Sequence, residues 1–71
     1  MECLALIQMR ISEAIRHSGL SQTEIAQKCG VKQSQISCYL HGKKLPALDT
    51  FAKLCRALDV NASYILGLEE E

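Results

Sequence analysis

The sequence contains little of what marks secreted, membrane-bound or β-sheet proteins. It has no tryptophan, one proline and four glycines in 71 residues, and its β-branched and aromatic residues never alternate with polar ones over a strand-length run. No apolar run approaches the roughly 20 residues of a membrane span. The stretch from Met1 to Met9 also lacks the basic start and cleavage site of a signal peptide. We therefore expect a cytoplasmic protein that does not enter a membrane.

The length of the chain limits its architecture. A chain of 71 residues buries only about 60% of its unfolded surface on folding, so a helical core is the economical solution. The apolar fraction of 48% is that of a folded domain and not of a disordered chain. These features predict one all-α domain over residues 1–71.

Cysteine spacing and catalytic motifs give no sign of a metal site or an enzyme. The four cysteines include no C-x-x-C pair, and without a signal sequence we expect reduced thiols. The sequence also lacks H-E-x-x-H, a glycine-rich phosphate loop and a nucleophile elbow. We expect no enzymatic activity, no metal and no cofactor. The cysteines are Cys3, Cys29, Cys38 and Cys55.

The net charge of zero hides an uneven distribution. Residues 10–44 carry six basic and two acidic side chains, a net charge of +4, whereas residues 45–71 carry two basic and five acidic ones, a net charge of −3. A chain polarised in this way can present a positive face although its total charge is neutral. The charge pattern therefore permits a nucleic-acid partner without requiring one.

Apolar residues recur at three- and four-residue steps, as in amphipathic helices. Ser21 and Glu24 have the spacing of a capping box, and Gly19, Gly30 and Gly42 stand where helices would stop. Asn61 is a good residue to begin a last short helix. The pattern predicts five helices, at about residues 4–17, 22–29, 33–41, 48–58 and 61–66.

The second and third predicted helices have the spacing of a helix-turn-helix. A small residue allows close helix crossing, a glycine permits the sharp turn, and two large residues one turn apart hold the third helix on the second. On a helical wheel at 100° per residue, the other side of the third helix is polar and nearly uncharged, which suits either base edges in the major groove or a merely solvated face. The packing residues are Ala26, Gly30, Ile36 and Tyr39; the polar side holds Gln33, Ser34, Ser37, Cys38 and His41.

These motifs, in this order, resemble those of the lambda-repressor-like, Cro/CI-type helix-turn-helix family. The resemblance covers about 50 residues, from Gly19 to Leu68, and implies a compact five-helix DNA-binding domain. The motifs are Gly19-Leu20-Ser21-Gln22, Ile25-Ala26, Gly30-Val31, Gln33-Ser34-Gln35-Ile36-Ser37, Gly42-Lys43-Lys44 with Pro46, Leu58-Asp59-Val60-Asn61 and Ile65-Leu66-Gly67.

The resemblance implies roles for individual positions. Residues facing the bases would be Gln33, Ser34, Ser37 and Cys38, with Gln33 the foremost. Phosphate contacts would come from Gln22, Thr23, Lys32, His41, Lys43 and Lys44, which set affinity and register without reading sequence. Three features depart from the family pattern. Lys32 and Ala47 stand where a Ser or Thr commonly caps the third and the fourth helix, so we expect either that the first turn of the third helix frays or that Lys32 places a charge beside a phosphate. Ile15 and Leu40 stand where well-known phage members bury an Arg–Glu pair.

The resemblance predicts a regulator of transcription, acting as a repressor that binds a palindromic double-stranded DNA operator as a homodimer. The competing hypothesis is a protein-interaction module, such as an antitoxin or accessory subunit. The apolar residues Leu4, Leu6, Ile7 and Met9 suit two roles equally, a dimer seam or a cover over the core. Cys38 and His41 lie one turn apart, but two ligands do not make a metal site.

Overall fold

A computed structural model describes residues 3–70 as an all-α fold, which confirms the predicted class. Between those residues there are five helices and no strand. Met1, Glu2 and Glu71 belong to the predicted domain but lie outside the described residues, so its extent over 1–71 stays a prediction. The helices are α1 (Cys3–His17), α2 (Gln22–Cys29), α3 (Gln33–Leu40), α4 (Leu48–Leu58) and α5 (Ala62–Ile65).

All five helices contribute to one buried cluster of apolar side chains. α2 supplies three members and stands against both α3 and α4, while α1 packs on α3 and α5. Ile25 of α2 and Ile36 of α3 are fully buried, so the helix pair is held together at its centre. The buried residues are Ile11, Ile15, Ile25, Ala26, Cys29, Ile36, Tyr39, Phe51, Leu54, Cys55 and Ile65.

The start of α2 and the turn after it form as the sequence predicts. The Ser21 hydroxyl accepts from the Glu24 backbone N–H at 3.1 Å, and the Ser21 N–H donates to the Glu24 carboxylate at 2.8 Å. Gly30 adopts a left-handed φ of +70°, and the Val31 N–H donates back to the Ala26 carbonyl at 3.0 Å. This closing bond ends α2 and turns the chain sharply into α3.

The start of α3 has a partial cap that the sequence analysis overlooked. The Lys32 ammonium has no acceptor, so its side chain cannot cap the helix. The backbone N–H of Lys32 nevertheless donates to the Gln35 side-chain carbonyl at 3.1 Å. Gln35 therefore supplies the reciprocal half of a capping box. A glutamine three residues after the cap position is a signal that the sequence already contained.

Two of the predicted helices, the third and the fifth, were slightly too long. α3 ends at Leu40 and not at His41, because His41 is the capping residue and the turn continues through Gly42, whose φ is +69°. The last helix covers Ala62–Ile65 and not 61–66, since Asn61 is its N-cap and accepts from the Ser63 N–H at 2.8 Å. α1 begins one residue earlier than predicted.

The apolar residues of α1 divide between the core and the surface. Ile7 packs against the buried cluster, and the Leu6 side chain covers Gly67 so closely that a Cβ there would lie 2.8 Å from Leu6 Cδ2. Leu4 and Met9 remain 52% and 43% exposed. Covering the core thus explains only part of this stretch. No helix between residues 3 and 70 is both long and apolar enough to cross a membrane.

Candidate nucleic-acid interface

The first residues of α2 and α3 meet at the surface through their side chains. The Gln33 amide Nε2 donates to the Gln22 amide oxygen, across eleven residues of sequence. The capped start of α2 and the Gly30 turn bring the two helix beginnings together. The structure thus joins the residue predicted to read a base and one of those predicted to contact a phosphate.

The predicted reading face of α3 lies on the side away from the core. Gln33 and Ser34 are exposed, and Ser37 and Cys38 are half-buried farther along the helix. Ile36 and Tyr39, with 0% and 4% of their surface exposed, fix the opposite side. The face is therefore set by packing, and α3 cannot rotate it inward without exposing both large side chains.

The end of α3 and the loop that follows are held by α1. The Gln8 side-chain amide donates to the Gly42 carbonyl at 3.2 Å, and the Ser12 hydroxyl donates to the Leu40 carbonyl at 2.8 Å. These bonds support the turn that leads to the exposed Lys43 and Lys44. Sequence analysis missed this role of Gln8, because a partner 34 residues away leaves no local signal.

The remaining predicted contacts lie on the rim of this surface. Thr23, Lys32 and His41 are exposed, and His41 donates through Nδ1–H to the Ser37 carbonyl at 3.1 Å. Within residues 3–70, no hydrogen bond links Thr23 or the loop lysines to the Gln22–Gln33 pair. These residues are assigned to the same surface as the glutamine pair because α2, α3 and the loop follow one another directly along the chain.

The positive charge of residues 10–44 does not all belong to this surface. The Arg10 guanidinium lies 4.1 Å from the centre of the Tyr64 ring and donates to the Tyr64 carbonyl. Lys28 lines a separate depression with Lys53 and Arg56. Arg16 lines a depression beside the end of α3, so the cations that flank the reading helix are Arg16 and the three lysines at 32, 43 and 44. The net charge of +4 over residues 10–44 is therefore larger than the charge at the candidate interface.

The four cysteines are divided between the core and the surface. Cys29 and Cys55 are buried, and burial raises the pKa of both thiols, which keeps them protonated. Cys3 is exposed and Cys38 is half-buried, and all four are free thiols. Among the described residues, no cluster of three or more potential ligands could hold a metal ion.

The helix pair and its outward polar face define a helix-turn-helix protein. Residues 11–65 match the family model described as helix-turn-helix, so the chain belongs to that family and the predicted resemblance is confirmed.

Two proteins of Bacillus subtilis (strain 168) are similar to this chain in sequence, and both are named HTH-type transcriptional regulators. The HTH-type transcriptional regulator ImmR is 33% identical over 61 residues, which are 86% of this chain and 48% of ImmR. The uncharacterized HTH-type transcriptional regulator YobD is 34% identical over 71 residues, the whole of this chain and 59% of YobD. The chain therefore spans about half the length of these relatives. No solved structure matches it significantly.

Proposed function

We propose that this protein binds double-stranded DNA by placing α3 in the major groove, and that it regulates transcription. The observation that carries the proposal is the hydrogen-bonded pair of Gln22 and Gln33 at the adjoining starts of α2 and α3. Family membership and the names of ImmR and YobD support it. A finer proposal is that the protein is a repressor and binds a palindromic operator as a homodimer.

The glutamine pair has the donors and acceptors that this role needs. Gln33 uses one of its two amide hydrogens on Gln22, which leaves the other hydrogen for adenine N7 and the carbonyl oxygen for the adenine N6 amine. Gln22 accepts through its oxygen, so both its amide hydrogens stay available for a phosphate oxygen. The bond between them also restricts the Gln33 rotamer before DNA arrives, which lowers the entropy lost on binding.

The lysines would add affinity that does not depend on sequence. Lys32 precedes α3, and Lys43 and Lys44 follow it, so all three flank the reading face. Each phosphate neutralised by such a side chain releases counterions and steepens the salt dependence of binding. His41 already donates its Nδ1–H to Ser37. It can therefore donate to a phosphate only through Nε2, in the protonated imidazolium form.

Selection of duplexes from a random pool, followed by binding measurements on the preferred duplex, tests the proposal. We expect Gln33→Ala to weaken binding by about 1–3 kcal/mol and to relax preference at one base pair. Lys43→Ala should weaken binding to all sequences alike and reduce the salt slope by about 1.

Gln27→Ala is the matched control, since Gln27 is an exposed glutamine like Gln33 but lies on α2 and has no part in the glutamine pair. If Gln33→Ala behaves like Gln27→Ala on the preferred duplex, α3 does not read bases through Gln33.

The second candidate function is a protein-interaction module. The exposed leucines favour it, since Leu48 and Leu68 are 84% and 76% exposed and such surface is used in protein contacts. The same selection separates the two functions: an enriched motif supports DNA recognition, and no enrichment even at low salt supports the interaction module. Binding that weakens steeply with salt but shows no motif indicates phosphate contact alone.

A further inference from the structure

A surface depression runs between α1 and the end of α3. On one side it is lined by Leu40, His41 and Gly42, which end the reading helix and begin the loop after it. On the other side it is lined by residues of α1 that are three or four apart and therefore share one side of that helix. The residues of α1 are Ala5, Gln8, Met9, Ser12 and Arg16.

Two hydrogen bonds fix α1 against the end of α3 at this depression. The Gln8 amide donates to the Gly42 carbonyl at 3.2 Å, and the Ser12 hydroxyl donates to the Leu40 carbonyl at 2.8 Å. Gln8 and Ser12 are one helical turn apart, and Arg16 lies one further turn along the same side of α1. The helix that carries Arg16 is thus held in a fixed position beside the reading helix.

The ionisable groups that line the depression are basic. Arg16 and His41 are both exposed, and no acidic side chain of residues 3–70 lines the depression with them. A guanidinium presents its donors in a planar fork that matches the oxygens of a phosphate. Leu40 and the 43% exposed Met9 add apolar surface, which suits the sugar between two phosphates. The lining therefore matches a sugar–phosphate chain.

The position of the depression also matches the path of a DNA strand. A helix about 10–12 Å across fills a major groove about 12 Å wide, so the sugar–phosphate strands pass along both sides of a reading helix. α1 packs on α3, and His41 belongs both to the polar side of α3 and to the depression. The depression therefore opens on the same side of the molecule as the reading face.

The other arginine of α1 does not reach this surface. The Arg10 guanidinium lies 4.1 Å from the centre of the Tyr64 ring and donates to the Tyr64 carbonyl. Arg10 and Arg16 are six residues apart, so they point in directions about 120° apart around the axis of α1. Of the two arginines, Arg16 is the one beside the reading helix.

We propose that the depression between α1 and the end of α3 receives the sugar–phosphate backbone of one DNA strand, and that the Arg16 guanidinium binds a phosphate there. The proposal deepens the proposed function and rests on it for the placement of α3 in the major groove. It adds a contact from α1 to those expected from α2, α3 and the loop.

The salt dependence of binding to the preferred duplex tests the contact. Arg16→Ala should reduce the slope of log affinity against log salt by about 1, so its loss of affinity should be about threefold larger at low salt than at fourfold higher salt. Arg16→Lys keeps the positive charge and should keep the slope.

Arg56→Ala is the matched control. Arg56 is also an exposed arginine in the last turn of its helix, so its removal changes the net charge and the helix dipole interaction in the same way. It lines a separate depression with Lys28 and Lys53, and its removal should leave the slope unchanged.

Replacement of single phosphates in the duplex by neutral methylphosphonates locates the contact. At the phosphate that Arg16 binds, the replacement should weaken binding of the wild type and have no effect on Arg16→Ala, because the two changes remove the same interaction. Lys43→Ala should remain sensitive to replacement at that phosphate.

A slope for Arg16→Ala equal to that of the wild type overturns the proposal. So does an equal decrease in Arg16→Ala and Arg56→Ala, which would reflect net charge alone, or an Arg16→Ala variant that keeps its sensitivity to every methylphosphonate. Circular dichroism checks that the variants are folded. If Arg16→Ala does not fold, Arg16→Gln replaces it, since glutamine keeps a long polar side chain without the charge.

Gln33→Ala keeps this proposal separate from the proposed function. If Gln33→Ala relaxes base preference while Arg16→Ala changes neither slope nor phosphate pattern, α3 reads DNA and the contact from α1 is refuted. If no motif is enriched but Arg16→Ala still reduces the salt slope on a random duplex and Arg56→Ala does not, base reading fails and the phosphate contact stands. A chain that binds no duplex even at low salt overturns both.

Discussion

At the scale of single residues, Glu24 shows how an exposed side chain can be tied to the backbone. Its carboxylate accepts from the Ser21 N–H at 2.8 Å, and this bond is the main cause that lowers the pKa of Glu24 below its ordinary value of 4.5. The Ser21 side chain lowers the pKa further, and Lys28 contributes a smaller attraction. The charged form of Glu24 is therefore the one that the fold prefers.

A lowered pKa makes stability depend on pH in a definite direction. The contribution of Glu24 is fully present above its unfolded pKa of 4.5 and is lost as the pH falls through the lower folded value. In urea unfolding between about pH 5 and pH 3, Glu24→Gln should show a smaller loss of stability than the wild type. Glutamine keeps a side-chain acceptor for the Ser21 N–H but does not titrate.

Glu13→Gln is the control for removal of an exposed carboxylate from a helix, since Glu13 is exposed on α1. Equal pH dependence in wild type and Glu24→Gln would mean that the capping box does not discriminate between the two protonation states.

At the scale of elements, the reading helix is the one with the incomplete start. α2 has both halves of its capping box, whereas α3 has only the bond from the Lys32 N–H to Gln35. The Gln35 N–H already donates to the Lys32 carbonyl at 3.0 Å, so the N–H groups without a partner among residues 3–70 in this turn are those of Gln33 and Ser34. They carry the positive end of the helix dipole, which favours a nearby phosphate.

Completing this cap should stabilise the protein. Lys32→Ser adds a hydroxyl as a second acceptor for the Gln35 N–H, which now donates to the carbonyl of residue 32, and we expect the free energy of unfolding to rise by about 1 kcal/mol. Urea unfolding measures the change. The same variant should bind DNA more weakly, because it loses a cation beside α3.

Lys28→Ser separates the cap from the loss of charge. Lys28 lies in the last turn of α2, where a serine caps nothing and the lost cation was favourable toward the helix dipole. If Lys28→Ser stabilises as much as Lys32→Ser, the gain comes from reduced charge repulsion and not from a cap.

At the scale of the whole molecule, the small core leaves little reserve of stability. A chain of 71 residues has a total free energy of unfolding of about 4–10 kcal/mol at 0.05–0.15 kcal/mol per residue. Ile25 and Ile36 are fully buried where α2 and α3 meet. Removing either side chain would take a large part of that total.

Ile36→Ala should lower the free energy of unfolding by about 2–5 kcal/mol, and Ile36→Val by about 0.5–1.5 kcal/mol. Leu48→Ala is the control, because a side chain that is 84% exposed should change stability by no more than about 0.5 kcal/mol. Urea unfolding at micromolar concentration measures all three without a contribution from association. A cost for Leu48→Ala similar to that for Ile36→Ala would contradict the burial that holds α3 in place.

Most of the fold was readable from short stretches of sequence because its signals are local. Ser21 with Glu24 and the glycines at 30 and 42 act within one turn of the backbone, so the starts and ends of α2 and α3 were predicted to within one residue. The apolar spacing of α3 likewise identified which side faces outward. These signals do not depend on contacts with residues distant in sequence.

The contacts that shape the candidate site join residues distant in sequence. The partners are 11 residues apart in the Gln22–Gln33 pair, 34 in the support of Gly42 by Gln8, and 54 in the bond from Arg10 to the Tyr64 carbonyl. The sequence alone thus determined five helices and an outward polar face on the third, because propensity and capping act locally. Only the tertiary structure joined the two glutamines and set Arg16 beside the end of α3, since packing decides which surfaces meet and which remain uncovered.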